Sequence, residues 1–93
     1  MIGTFVVVRT FSAGVHVGEL VSQRGKCVEL SNARRIWRWR GANTLNEIAL
    51  RGVDEEYSRI SEPVPLIRLT EAVEIIPCAN EAAANLRRSR WGA

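Results

Sequence analysis

Apolar and polar residues alternate with a period of two through the first half of the chain, and glycine and serine interrupt the alternation. Phe5 to Thr10 is a first such run, Ser12-Ala13-Gly14 a turn, and VHVGELVSQ a second run with Val15, Val17 and Val21 at alternate positions. Arg24-Gly25 makes another turn before KCVELS, in which Cys27 and Glu29 oppose Val28 and Leu30. Period-two runs bounded by turn residues predict a three-stranded antiparallel meander over Met1 to Ser31. Arg34 to Arg40 continues in the same period. There Arg35, Trp37 and Trp39 share one face and Ile36, Arg38 and Arg40 the other, so both indoles are expected to point the same way.

After Gly41 the period changes. Thr44 and Glu47 form a T-x-x-E capping box that satisfies free N–H groups at a helix start. Leu45, Ile48 and Ala49 give the helix an apolar stripe, and Gly52 stops it after about two turns, so it is expected to lid one end of the sheet. A polar, acidic loop follows with a short strand over Tyr57 to Ile60, and Pro63 and Pro65 keep the chain extended or place it at a sheet edge. Strand character returns at Ile67 and Leu69, which alternate with Arg68, and at Val73 and Ile75, which alternate with Glu74. The last segment reads as a helix with Asn80 as N-cap, Glu81 in the first turn and Arg87, Arg88 and Arg90 at its C-terminal end, a charge order that suits the helix dipole. The expected fold is mainly β (α+β), a single domain over residues 1–93. It is a small curled antiparallel sheet or SH3-like barrel of about five or six strands, with one short inserted helix and a C-terminal helix.

Size and charge refine this picture. A core of 93 residues buries somewhat less than about 70% of the unfolded surface, so association between copies would add stability and a homo-oligomer is expected. The apolar runs are too short to cross a bilayer, and IGTFVVVRT after Met1 lacks the basic leader and cleavage site of a signal peptide; a cytoplasmic protein with no membrane partner is expected. Cys27 and Cys78 stand far apart without a CxxC or Cys/His cluster, which predicts two buried thiols rather than a metal or redox site. The net charge is only +3, yet of 13 basic residues Lys26 alone is lysine. Arginine's planar fork grips phosphate at two points and stacks on rings, so the bias favours a shaped anion over diffuse attraction.

Catalysis finds little support. His16 is the only imidazole, it alternates with Val15 and Val17 in a strand, and no nucleophile motif or P-loop accompanies it. Asp54-Glu55-Glu56 reads as a solvated acidic loop rather than a metal site. No catalytic residue, metal or cofactor is therefore assigned.

The strongest chemical signal is NARRIWRWR, with four arginines and two tryptophans in seven residues from Arg34 to Arg40. Arginines contact phosphates by charge-assisted bidentate bonds and an indole face stacks a base. Equally, Trp37 and Trp39 can be core with the arginines as a solvated rim. Ser12 and Gly14 sit in a tight turn whose N–H groups can form a small anion-binding concavity, which His16 would complete if folding brought it to Arg34 and Arg35. The C-terminal LRRSRW docks on the same site, pairs with acids, or frays.

The tract VVRTFSAGVHVGELVSQRGKCVELSNARRIWRWRGANTLNEIALRGV, with LTEAVEIIPC after it, resembles a family of small proteins encoded by tailed bacteriophages and prophages. The likeness runs from about Gly3 to Asn80 and rests on SAGVHxG and ARRIWxWxGAxTL; Arg38 and Arg40 fall at its variable positions, which shifts weight to Arg34 and Arg35. The resemblance implies an accessory product in the cytoplasm of an infected host cell. By analogy with phage decoys of similar size, the leading expectation is a noncatalytic protein that sequesters a phosphorylated small molecule of the cyclic nucleotide or cyclic ADP-ribose type to counter host defence. Arg34 and Arg35 would hold phosphate, Trp37 or Trp39 would stack a base, and Ser12, Gly14 and His16 would complete the pocket. Two alternatives use the same residues. One is a small-barrel RNA- or DNA-binding protein with Arg38, Arg40 and Arg87 to Arg90 on the phosphates. The other is a module anchored by Trp37 and Arg38 that inhibits a host protein or serves virion assembly.

Overall fold

The meander forms from its own turn chemistry: β1 (Phe5–Thr10), β2 (Val15–Arg24) and β3 (Cys27–Arg38) are consecutive antiparallel strands in the computed structural model, which describes residues 1–92. They are followed by α1 (Leu45–Arg51), β4 (Arg59–Ile60), β5 (Val64–Leu69), β6 (Ala72–Pro77) and α2 (Asn80–Arg88). β3 is the spine. β2 pairs along one of its sides, whereas the other side is divided between β5, opposite Val28 to Ala33, and β4, opposite Ile36 to Arg38. The sheet order is β4-β3-β2-β1-β6 with β5 on β3. β5 and β6 thus lie at opposite edges although only Thr70 and Glu71 join them, and so short a link makes the sheet curl until its edges approach. The two edges do not pair, so the mainly β fold is an open curled sheet rather than a closed barrel.

Curling gives β1 two buried faces. Val6 and Val8 point into the curl with Leu20, Val28, Leu30 and Leu69, while Phe5 and Val7 face the helices with Val17, Ile36, Ile48 and Leu86. Each fully buried aliphatic side chain contributes roughly 1.5–3 kcal/mol, which is why an uninterrupted FVVV run suits this strand and no other. α1 starts at the expected box: Thr44 Oγ1 accepts the Glu47 N–H, and Glu47 Oε2 accepts the Asn43 N–H at 2.6 Å. α2 is tied to the loop after α1 by the buried Asn85, whose Oδ1 accepts the Val53 N–H at 2.8 Å and whose Nδ2 donates to Val53 O at 2.9 Å. No helix among the described residues is long and apolar enough to cross a membrane.

The structure departs from the sequence expectations in five places. KCVELS and the arginine run belong to one strand, because a bulge at Asn32 (φ 48°) absorbs an extra residue opposite Gly18 without breaking the pairing. A second bulge between Leu20 and Ser22 turns Val21 outward and puts Leu20 in the core. β3 stops at Arg38, so the strand alternation does not reach Trp39 and the two tryptophans part. Asn80 is the first residue of α2 rather than its cap: the N-cap is Ala79, held by its N–H to Ala49 O, and no side chain caps it. Cys27 is exposed, since it opens β3 beside the hairpin turn; Cys78 is half-buried, and burial pushes its thiol up to about 11 against the opposing charge of Arg87.

Candidate functional site

Arg34 and Arg35 are neighbours in a strand, so their side chains leave the sheet on opposite faces. Arg34 is 8% exposed. Its Nε donates to Ser61 O at 2.8 Å, and its Nη1 donates to Leu86 O and Arg87 O, both at 2.9 Å. Those last two carbonyls lie in the final turn of α2, where the helix has no further N–H to satisfy them. Burial, and then the charge of Arg90, lower the pKa of Arg34, but a guanidinium remains a cation even so. The fold therefore uses Arg34 as a helix cap. Arg35 is exposed, pairs with His16 of β2, and lines with His16 and Arg34 a cleft of about 170 Å³.

The turn predicted to cradle an anion is also occupied from within. Thr10 Oγ1 takes the Ala13 N–H at 2.9 Å and donates to Gly14 O at 2.8 Å. Ser12 Oγ donates to a carboxylate oxygen of Glu71, whose negative charge opposes any bound anion. His16 is 1% exposed, and its Nε2 lies 3.0 Å from Ala13 O, which makes the imidazole a staple for the same turn. Burial lowers its pKa below the ordinary 6.5, only partly offset by the bond to Ala13 and assisted by the charge of Arg35. Gly14 (φ 83°) is exposed and serves the turn itself. Of the seven residues expected to form one pocket, Arg34, Arg35 and His16 meet at the one cleft, whereas Ser12, Gly14, Trp37 and Trp39 do not line it.

The tryptophans part company as well. Trp39 is half-buried against the helix-side core and donates its Nε1–H to Ala42 O at 3.2 Å. Trp37 is 59% exposed and stacks on Trp91, itself 53% exposed, with ring centroids 5.3 Å apart and an interplanar angle of 29°. Beside the pair sits Arg59 of β4, its guanidinium carbon 5.6 Å from the Trp37 centroid and 5.3 Å from that of Trp91. Arg59 Nε is buried with no hydrogen-bond partner.

The tail is held there by the backbone. Beyond α2 the chain pairs with β4 through a bridge between Arg59 and Trp91; Gly92 N–H donates to Ser58 O at 2.9 Å and Ile60 N–H to Arg90 O at 3.4 Å. A Cβ on Gly92 would lie 2.4 Å from Glu56 O, so only glycine fits this seat. The result is a three-strand corner of β3, β4 and tail that carries Trp37, Arg38, Arg59, Arg90 and Trp91. Arg38, Arg40 and Arg90 are exposed and, among the described residues, make no ion pair, unlike Arg9, Arg51, Arg68 and Arg88, which pair with Glu74, Glu47, Glu29 and Glu55.

Residues 3–86 match the model of a family described as a domain of unknown function, DUF6948. The chain belongs to the DUF6948 family. No curated protein and no solved structure matches it. The DUF6948 match takes in Arg34, Trp37 and Arg59 but stops before Arg90 and Trp91, so the indole pair joins one ring of the family domain to one of the tail. Sequence reasoning missed Arg59, which stands alone after an acidic loop, and placed Trp91 only as one option for the C-terminal run. The available signal was a third tryptophan close behind three arginines.

Proposed function

We propose that the protein binds single-stranded nucleic acid on the open corner of β3, β4 and the tail, without catalysis, as an accessory product of a phage or prophage. The observation that carries this reading is the stacked, half-exposed Trp37–Trp91 pair with Arg59 held on its rings. Base stacking on exposed indoles is worth roughly 1–3 kcal/mol per base, and it is sequence-tolerant because every base has a π-face. Arg38, Arg40 and Arg90 add cationic groups not engaged by carboxylates among the described residues. The phage setting is supported by the sequence resemblance.

This reading takes the place of the enclosed phosphate pocket. That pocket needs Arg34, Ser12 and His16, and each of these is engaged by the protein's own groups. An open platform requires unpaired bases, so a duplex should bind poorly. Fluorescence anisotropy with a labelled octanucleotide, single-stranded and as a duplex, at two salt concentrations tests the proposal. The expected result is preference for the single strand, with affinity falling as salt rises by about 0.7 log units per log unit of salt for each phosphate contacted. Equal binding of both forms, or none, would contradict it.

A further inference from the structure

A groove of about 840 Å³ opens beside Trp91. Ile60, Pro63 and Val64 give it an apolar lining, Trp91 an aromatic wall, and its charged residues are one acid, Glu62, and two arginines, Arg34 and Arg90. The Glu62 carboxylate is exposed and, among the described residues, makes no hydrogen bond or ion pair. A flat, largely apolar ring is the shape that such a lining and wall accept. What remains is the chemistry of its polar edge.

A carboxylate only accepts hydrogen bonds. Guanine offers it two adjacent donors, N1–H and the 2-amino group, which match its two oxygens. Adenine and cytosine each offer one amino group. Uracil and thymine offer a single N–H flanked by two carbonyl oxygens that a carboxylate repels. We infer that this groove receives a nucleobase stacked on Trp91 and that Glu62 selects bases carrying an amino donor, guanine first. The inference rests on the strand-binding reading and adds base preference to it; Arg90 is placed to neutralise the phosphate that follows the base.

The test compares octauridylate with the same strand carrying one central guanosine, adenosine or cytidine, against the protein and its Glu62→Gln variant. Glu62 is exposed, so the isosteric amide leaves the fold intact. The guanosine strand should bind roughly fivefold or more tightly than octauridylate, with adenosine and cytidine between. Glu62→Gln should bring all four strands within about twofold of one another, mainly by improving uridine, because its amide donates to a uracil carbonyl. Equal binding of the four strands by the unaltered protein, or a preference that survives in Glu62→Gln, overturns the inference and leaves strand binding standing. Failure of every strand to bind overturns both. Guanosine monophosphate separates the two sources of the base: weak competition supports a strand ligand, whereas binding as tight as the octamer's assigns the groove to a free nucleotide and overturns the strand reading.

Discussion

Arg34 and Arg59 stand on adjacent strands of one sheet corner, and each gives up water on folding, but different groups replace that water. Arg34 receives three backbone carbonyls, from Ser61, Leu86 and Arg87. Arg59 receives two indole faces, and among the described residues its guanidinium makes no hydrogen bond. The fold thus takes three of the five N–H groups of Arg34, and only the two on Nη2 remain for a ligand. Arg59, set against the rings, has no hydrogen-bond partner for its terminal N–H groups among the described residues. Arginines that meet at one corner of the sheet thus differ in how far the fold already engages them, and only the groups around each one tell them apart.

The hardest way to break this contrast is to remove Arg34. Arg34→Ala leaves three carbonyls without their donor and should lose about 3 kcal/mol of stability in urea unfolding, whereas Arg35→Ala should stay within about 0.5 kcal/mol. Equal effects would mean that Arg34 is not a structural cap. The opposite pattern is expected on the other side: Trp37→Ala or Trp91→Ala should weaken single-strand binding by about 1–3 kcal/mol, with unfolding changed by no more than about 1 kcal/mol. Gly92→Ala touches neither ring but drives a methyl against Glu56 O and Ser58 O, so it should unseat the tail and reproduce much of the Trp91→Ala binding loss.

His16 supplies the smallest effect and carries a sign. Its folded pKa lies below the ordinary 6.5, so the unfolded chain takes up the proton first as pH drops. The stability contributed by the neutral imidazole is complete above 6.5 and declines as pH falls below it. Glu29, lowered by hydrogen bonds from Ser22 and Arg68, and Glu47, lowered by the Asn43 N–H, add their own losses only further down, in the carboxylate range. Thermal melts from pH 7.5 to about 5.5 should therefore show a decline that His16→Gln abolishes. A decline of the same size in the variant would remove His16 from the account.

Much of the fold was readable because local signals agreed with one another. Turn residues, alternation and the Thr44–Glu47 box placed the meander and α1, and the sum of short strands placed the sheet. The bulges at Asn32 and Val21 were not readable, since a one-residue insertion depends on the partner strand, and it changes which face each later side chain takes. The site was legible only in part for the same reason. Trp37 was found in sequence, but its partners Arg59 and Trp91 are 22 and 54 positions away by residue number and meet it only because the tail adds to β4. Arg34 looked like a ligand because its acceptors lie in a helix far along the chain.

The central claim is that binding belongs to the exposed indoles and not to the arginine–histidine turn, and the three tryptophans report on it directly. Each indole Nε1–H gives one signal in a ¹⁵N correlation spectrum of the labelled protein titrated with a single-stranded octanucleotide. The account predicts that the signals of Trp37 and Trp91 shift together while that of Trp39, bonded to Ala42 O, stays in place. Shifts confined to Trp39 and to the backbone around Ser12, His16 and Arg34, with Trp37 and Trp91 unmoved, would contradict it.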